Sequence, residues 1–170
     1  MDAARPAPLT YPQLQNLLRI EFARARRYEL PLSCLAVQID RLEHLRDLYG
    51  SGARELILGQ VMRIVQGQTR VCDAMGRSGD RMVVVLPHTD AEGARVIGER
   101  LLKKVQSLSF EVAQRSLEVT VSVGISSYTD PDMIFFDALL KDAEQAVLEA
   151  TGAGGNTINL SQPAGDGAPA

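Results

Sequence analysis

Arg70 and Asp73, in the run Arg70-Val71-Cys72-Asp73, lie three residues apart. Across a turn, that spacing brings a guanidinium and a carboxylate close together. Arginine offers a planar fork of donors that suits phosphate, and the carboxylate accepts from N–H donors. The pair therefore reads either as part of an anion-binding cup or as a salt-bridged turn, and a surface ion pair of that kind contributes little to stability. The other reactive side chains are isolated. His44 and His88 read as surface residues. Cys34 falls in an apolar run with no base at a suggestive spacing, and Cys34 and Cys72 together lack metal-ligand spacing.

Composition bounds the scaffold that positions these groups. A chain of 170 residues fits one domain with a sizeable core. An apolar fraction of 45% and a charged fraction of 23% are ordinary for a globular protein. The net charge of -3 argues against a general nucleic-acid binder, which usually carries a basic surplus. It leaves room for a small anionic ligand held by a few arginines. No apolar run approaches the ~20 residues that span a bilayer, and the N-terminal MDAARPAPLT lacks the apolar centre of a signal peptide. The chain reads as cytoplasmic.

Residues 1–10 and 161–170 are rich in Pro, Ala and Gly and read as flexible tails around a domain at 11–160. Leu14, Leu18, Phe22 and Ala25 recur at helical spacing, and Phe22–Arg27 reads as a solvated basic helix face. Leu32–Asp40 has a strand's composition, with Leu35, Val37 and Ile39 on one side. Leu42–Tyr49 and Ala53–Gln66 read as helices. Asp73–Gly76 and Met82–Leu86 read as strands joined by the turn GRSGDR. Asp90–Leu108 is a helix with Ile97, Leu101 and Val105 aligned. Phe110–Val112 and Leu117–Ile125 are strands, Asp137–Ala150 a helix and Thr157–Leu160 a last strand. The order α-β-α-α-β-β-α-β-β-α-β predicts an α+β sandwich, a largely antiparallel sheet with helices packed on it.

Five runs, in order and over roughly residues 7–160, resemble the GGDEF (diguanylate cyclase) family. QIDRLEHLRDLYG is similar to the family's DIDxFKxINDxYG, and RVCDAMGRSGDRMVVVLP to RxxDxxxRxGGDEFxxxLP. LEVTVSVGIS is similar to VTVSIGVA, AEQAVLEATGAGGN to ADxALYxAKxxGRN, and Ala7–Thr10 (APLT) to DxLT. The resemblance implies a palm-like sandwich around a central five-stranded, mainly antiparallel sheet, like that of nucleotide cyclases. It also implies a relation to enzymes that join two GTP molecules into cyclic di-GMP, with Mg²⁺ held by acidic residues.

Against that pattern the catalytic positions differ. The first aspartate of DID is Gln38, while the second is kept as Asp40. The signature reads SGDRM, with one glycine of the pair missing, Asp80 at the preceding acidic position, Arg81 at the glutamate and Met82 at the phenylalanine. The guanine-reading asparagine and aspartate are Arg46 and Glu55, with Arg54 before Glu55 in place of glycine. The phosphate-facing lysine of DxFK is Glu43, and the lysine and arginine of AKxxGRN are Thr151 and Gly155. The expectation is a domain with no catalytic residues, no metal and no cofactor, in which Mg²⁺ is not bound.

The family's product-binding site, by contrast, is matched. Its RxxD is Arg70 and Asp73, six residues before Gly79, and its helix arginine is Arg100, thirteen residues after Pro87. Arginine reads the O6/N7 edge of guanine bidentately and pairs with phosphate, and a carboxylate accepts from N1–H and N2–H₂. The resemblance thus implies a cyclic di-GMP receptor acting through Arg70, Asp73 and Arg100, as a homodimer or a ligand-bridged dimer and with a protein partner the sequence does not name. The alternatives are a ligand-independent interaction or dimerisation module of the same fold and, third, a weak divergent cyclase.

Overall fold

The computed structural model describes residues 7–129, 131–133 and 135–161. The elements run α1 (Tyr11–Tyr28), β1 (Leu32–Ile39), α2 (Leu42–Tyr49), α3 (Ser51–Gln68), β2 (Ala74–Ser78), β3 (Arg81–Pro87), α4 (Ala91–Gln106), β4 (Ser109–Val112), β5 (Arg115–Glu118), β6 (Val121–Tyr128), α5 (Phe136–Gly152) and β7 (Ile158–Leu160). The central sheet has five strands in the order β2-β3-β1-β6-β7. Every neighbouring pair is antiparallel except β6 and β7. The expected α+β sandwich with a mainly antiparallel five-stranded sheet is the observed one.

Helices cover both faces of this sheet, so its central strands are apolar almost throughout. Along β1, Leu35, Val37 and Ile39 join a core with α3 and α4 residues such as Val61, Val65, Leu101 and Val105. The alternate residues Leu32, Cys34 and Ala36 join a second core with Leu14, Leu18 and Phe22 of α1 and Leu139, Leu140 and Val147 of α5. The period-2 geometry of a strand sends successive side chains to opposite layers. On α4 the face turned inward is Ala94, Gly98, Leu101 and Val105, with Ile97 only partly covered.

The start of α1 is tied to the sheet. Thr10 caps the helix, its Oγ1 accepting from Gln13 N at 3.3 Å while Gln13 Oε1 accepts from Thr10 N at 2.9 Å. Leu9 bridges β2, donating to Met75 O at 2.9 Å and accepting from Arg77 N at 3.0 Å. Leu9 and Thr10, assigned above to the flexible tail, are therefore engaged, Leu9 by the outer edge of β2 and Thr10 by the first turn of α1. Of the two expected tails, residues 1–6 and 162–170 lie outside the described residues.

Two strand expectations change. Leu117–Ile125 is not continuous: residues up to Glu118 pair with β4 in a separate hairpin, and those from Val121 join β1. At the break, Thr120 O accepts from Asp40 N, so the ladder partner switches there. The β4–β5 turn holds Ala113 and Gln114 at φ 50 and φ 65, the two positive values of a type I′ turn. The β2–β3 loop is shorter than the run GRSGDR: Ser78 pairs with Arg81, leaving Gly79 and Asp80 as a two-residue turn. Gly79 has φ 63, as the first central position of a type II′ hairpin turn requires.

Asp40 fastens the end of β1 to its neighbours. Its carboxylate accepts from Thr120 Oγ1 at 2.7 Å, Ser122 Oγ at 2.7 Å and Asn156 N at 2.8 Å. Among the described residues, no helix is long and apolar enough to cross a membrane.

Helix α5 lies against β6 where Gly124 leaves no side chain. A Cβ there would sit 2.3 Å from both Ala143 O and Val147 N. Gly124→Ala is expected to destabilise the domain by about 1–3 kcal/mol through forced displacement of α5, read as a lower denaturation midpoint in urea. The thiols give a second check. Burial pushes the Cys34 thiol up to about 12, while Cys72 is exposed. An aromatic disulfide reagent is expected to titrate one thiol in the native protein and two in denaturant, and Cys72→Ser to remove the native reaction.

Candidate functional site

The α3–β2 connection forms a closed turn around Arg70 and Asp73. Asp73 N donates to Arg70 O at 3.0 Å, and Arg70 N donates back to Asp73 Oδ2 at 2.7 Å. Arg70 Nη2 contacts Asp73 Oδ1 at 3.4 Å, completing the ion pair. The Asp73 side chain is 0% exposed and the Arg70 side chain 53% exposed. The carboxylate thus looks inward and holds the turn, while the guanidinium faces outward. Cys72 and Val71 sit at the exposed tip.

Arg70 also reaches across to the β3–α4 connection. Its Nη2 donates to Thr89 Oγ1 at 2.7 Å and to Pro87 O at 3.0 Å. Its Nη1 and Nε carry no hydrogen bond among the described residues. Thr89 Oγ1 in turn donates to Pro87 O at 3.0 Å, and Thr89 O accepts from Ser33 Oγ at 2.7 Å. Ser33 Oγ is 2.8 Å from Ser127 Oγ, so the chain of contacts runs from the turn into β1 and β6.

Arg100 lies on the exposed face of α4. Its neighbour Glu99 is engaged by Arg95 at 2.5 Å, which leaves Arg100 with no ion pair among the described residues. The structure brings Arg70 and Asp73 together directly; it shows no contact between either of them and Arg100.

Gln38, Asp80 and Arg81, which the family resemblance sets against catalytic positions, lie at the other end of β3. Residues 81 and 87 bound that strand, which at ~3.3 Å per residue separates its ends by about 20 Å. Arg81 Nη2 donates to Gln38 Oε1 at 3.3 Å across the β1–β3 pair. Arg81 Nη1 lies 3.9 Å from Glu144 Oε2 on α5, and Tyr11 Oη donates to Glu144 Oε1 at 3.4 Å. Burial, together with the Glu144 carboxylate, raises the Tyr11 pKa. Among the described residues, the Arg81 Nε is buried without a hydrogen-bond partner.

A second charged group spans the gap between the β2–β3 turn and the α2–α3 pair. Arg54 donates to Asp80 and, at 2.7 Å, to Glu55, and its Nε lies 3.5 Å from Glu43. Arg46 pairs with Glu43 at 2.8 Å. Hydrogen bonding to Asp80 raises the Arg54 pKa, so its charge is held firmly. Thr151 spends its Oγ1 on Val147 O at 2.9 Å. Gly155 turns with φ 76 directly over Asp40, where a Cβ would sit 2.7 Å from the carboxylate carbon.

Sequence reasoning missed Thr89, Ser33, Glu144 and Tyr11. Thr89 precedes the helix cap Asp90, whose Oδ1 accepts from Gly93 N at 2.8 Å, so its hydroxyl reads in sequence as part of a helix-start run. Glu144 sits in a helical pattern with no mark of its own.

Comparison with known proteins identifies the family and the fold. Residues 12–157 match the family described as diguanylate cyclase, GGDEF domain. Diguanylate cyclase A of Treponema denticola is 32% identical over 132 residues, which is 77% of this chain and 35% of that protein. The chain thus spans about a third of that relative's length. The active GGEEF domain of a diguanylate cyclase from Vibrio cholerae superposes with a TM-score of 0.85 at 22% identity, covering 93% of this chain and 100% of that one. The GGDEF domain of DgcB from Caulobacter crescentus, solved in complex with c-di-GMP, superposes with a TM-score of 0.86 at 15% identity, covering 96% and 98%. From the match over its central residues and the shared fold, this chain belongs to the GGDEF domain family of diguanylate cyclases.

Proposed function

We propose that this domain is a cyclic di-GMP receptor that binds through Arg70, Asp73 and Arg100 and does not itself make the nucleotide. The observation that carries the reading is the presentation of Arg70. Its guanidinium is half-exposed, anchored by one nitrogen to Thr89 and Pro87, and leaves Nη1 and Nε for a ligand. A guanidinium held in one orientation loses less freedom on binding a guanine edge or a phosphate. Arg100, with no ion pair among the described residues, adds a second cation on α4, the helix that starts just after Thr89. Asp73 in this arrangement shapes the turn. For it to accept from guanine N1–H and N2–H₂, the turn must release one carboxylate oxygen. The DgcB domain that shares this fold was solved with the same nucleotide.

The charges at the far end of β3 support the absence of catalysis. Mg²⁺ needs hard, preferably anionic, oxygens. Here a guanidinium donates to Gln38 Oε1 at 3.3 Å, and the donor set does not fit the ion. Asp80 is committed to Arg54, and Asp40 to Thr120, Ser122 and Asn156. Phosphoryl transfer depends on metal and phosphate contacts that this set does not offer.

Calorimetry with cyclic di-GMP, with GTP as control, tests the reading. Wild type is expected to bind cyclic di-GMP at micromolar concentration or tighter without Mg²⁺. Arg70→Ala is expected to abolish this, since losing a charged contact in a desolvated site costs ~2–5 kcal/mol. Asp73→Ala and Arg100→Ala are expected to weaken binding less, and Asp80→Ala to leave it unchanged. Absence of nucleotide binding by the wild type would favour an interaction module instead. Incubation with GTP and Mg²⁺ or Mn²⁺ is expected to yield no cyclic di-GMP, and Gln38→Asp alone is expected not to restore synthesis.

A further inference from the structure

We infer that Thr89 is the residue that sets the orientation of Arg70, and so acts as a positioning residue for the ligand site; the inference rests on the receptor reading where it concerns affinity. Thr89 is 8% exposed, so its hydroxyl works away from bulk water. Its Oγ1 makes two bonds at once, accepting from Arg70 Nη2 at 2.7 Å and donating to Pro87 O at 3.0 Å. A hydroxyl has one proton and two lone pairs. With that proton on Pro87 O, a lone pair of Oγ1 is directed to the guanidinium. Pro87 O accepts from the same nitrogen at 3.0 Å. The three atoms form a closed triangle in which Thr89 Oγ1 is the acceptor that can be removed without altering the backbone.

The triangle is fixed from behind. Ser33 Oγ holds Thr89 O at 2.7 Å, and Ser33 is fully buried in β1. The methyl of Thr89 packs beside α4, where a Cβ on Gly93 would lie 3.0 Å from Thr89 Cγ2. Thr89 is therefore clamped on both sides, and Arg70 takes its orientation from a rigid point. The Asp73 contact to the guanidinium, at 3.4 Å, is the longer one. An arginine side chain that loses the Thr89 hydroxyl keeps Pro87 O at 3.0 Å and Asp73 at 3.4 Å but gives up its shortest contact, so it regains part of its rotamer freedom, and ordering it on ligand binding then costs affinity.

Thr89→Val keeps the shape and removes the hydroxyl; Thr89→Ser keeps the hydroxyl. Two readouts are needed, taken on the whole chain. The first is ¹⁵N relaxation of the Arg70 Nε–H in the ligand-free protein, assigned by its loss in Arg70→Ala. Thr89→Val is expected to raise the mobility of that group, and Thr89→Ser to leave it as in wild type. The second is calorimetry with cyclic di-GMP, in which Thr89→Val is expected to weaken binding about tenfold, the scale of one hydrogen bond, and Thr89→Ser to bind within about twofold of wild type. An unchanged Arg70 signal in Thr89→Val overturns the positioning role, as does full affinity in Thr89→Val where Arg70→Ala has lost binding. If wild type does not bind cyclic di-GMP yet Arg70 loosens in Thr89→Val, the receptor reading fails and the positioning role stands. If Thr89→Val disturbs the amide spectrum across the domain, Ser33→Ala, which frees Thr89 from behind, takes its place: it is expected to loosen Arg70, and an unchanged Arg70 signal overturns the proposal.

Discussion

Burial of the sheet on both faces leaves β1, β3 and β6 no solvent side on which to place polar chemistry. Cys34, Leu35, Ala36 and Val37 are all at 0% exposure along one strand. A charged side chain in that run would be desolvated between two helical layers without a partner. Polar function is therefore driven to the strand ends. One end gathers Arg70, Thr89, Ser33 and Ser127; the other gathers Gln38, Arg81, Asp40 and Asp80. The two groups share a rigid sheet yet lie too far apart to touch.

Within the second group every acidic residue of the β1 end and the hairpin has an internal partner. Asp80 faces Arg54, and Asp40 faces two hydroxyls and a backbone N–H. Arg81 is poised between Gln38 and Glu144. Arg54 thus supplies from within the chain the positive charge opposite Asp80. The Gly79-Asp80 turn contributes by its tightness, since a two-residue loop holds Asp80 in one direction, toward α3.

Much of the fold was legible because its signals are periodic. Leu14, Leu18, Phe22 and Ala25 mark a helix face, and all four are buried. The alternation of β1 marked one core face correctly but gave no hint that Cys34 and Ala36 face a second core, since alternating apolar residues and a continuous apolar run differ only in whether helices cover both sides. The break at Thr120 was not legible, because LEVTVSVGI keeps a strand's composition across a change of partner. At the candidate site, spacing revealed Arg70 with Asp73 and flagged Arg81, Gln38 and Arg54 as departures from a family pattern. It did not reveal the inward turn of Asp73 or the part of Thr89, since both depend on contacts between segments far apart in sequence.

The bridge from Leu9 to β2 has a consequence for the molecule in a crowded solution. The outer edge of a sheet presents free N–H and C=O groups that can recruit a strand from another chain. On β2 the Met75 C=O and the Arg77 N–H are taken by Leu9. At the opposite margin, β7 runs for only 3 residues. Both margins are thus poor templates for strand addition, one blocked and one too short. Association between copies by extension of the central sheet is disfavoured at each margin among the described residues.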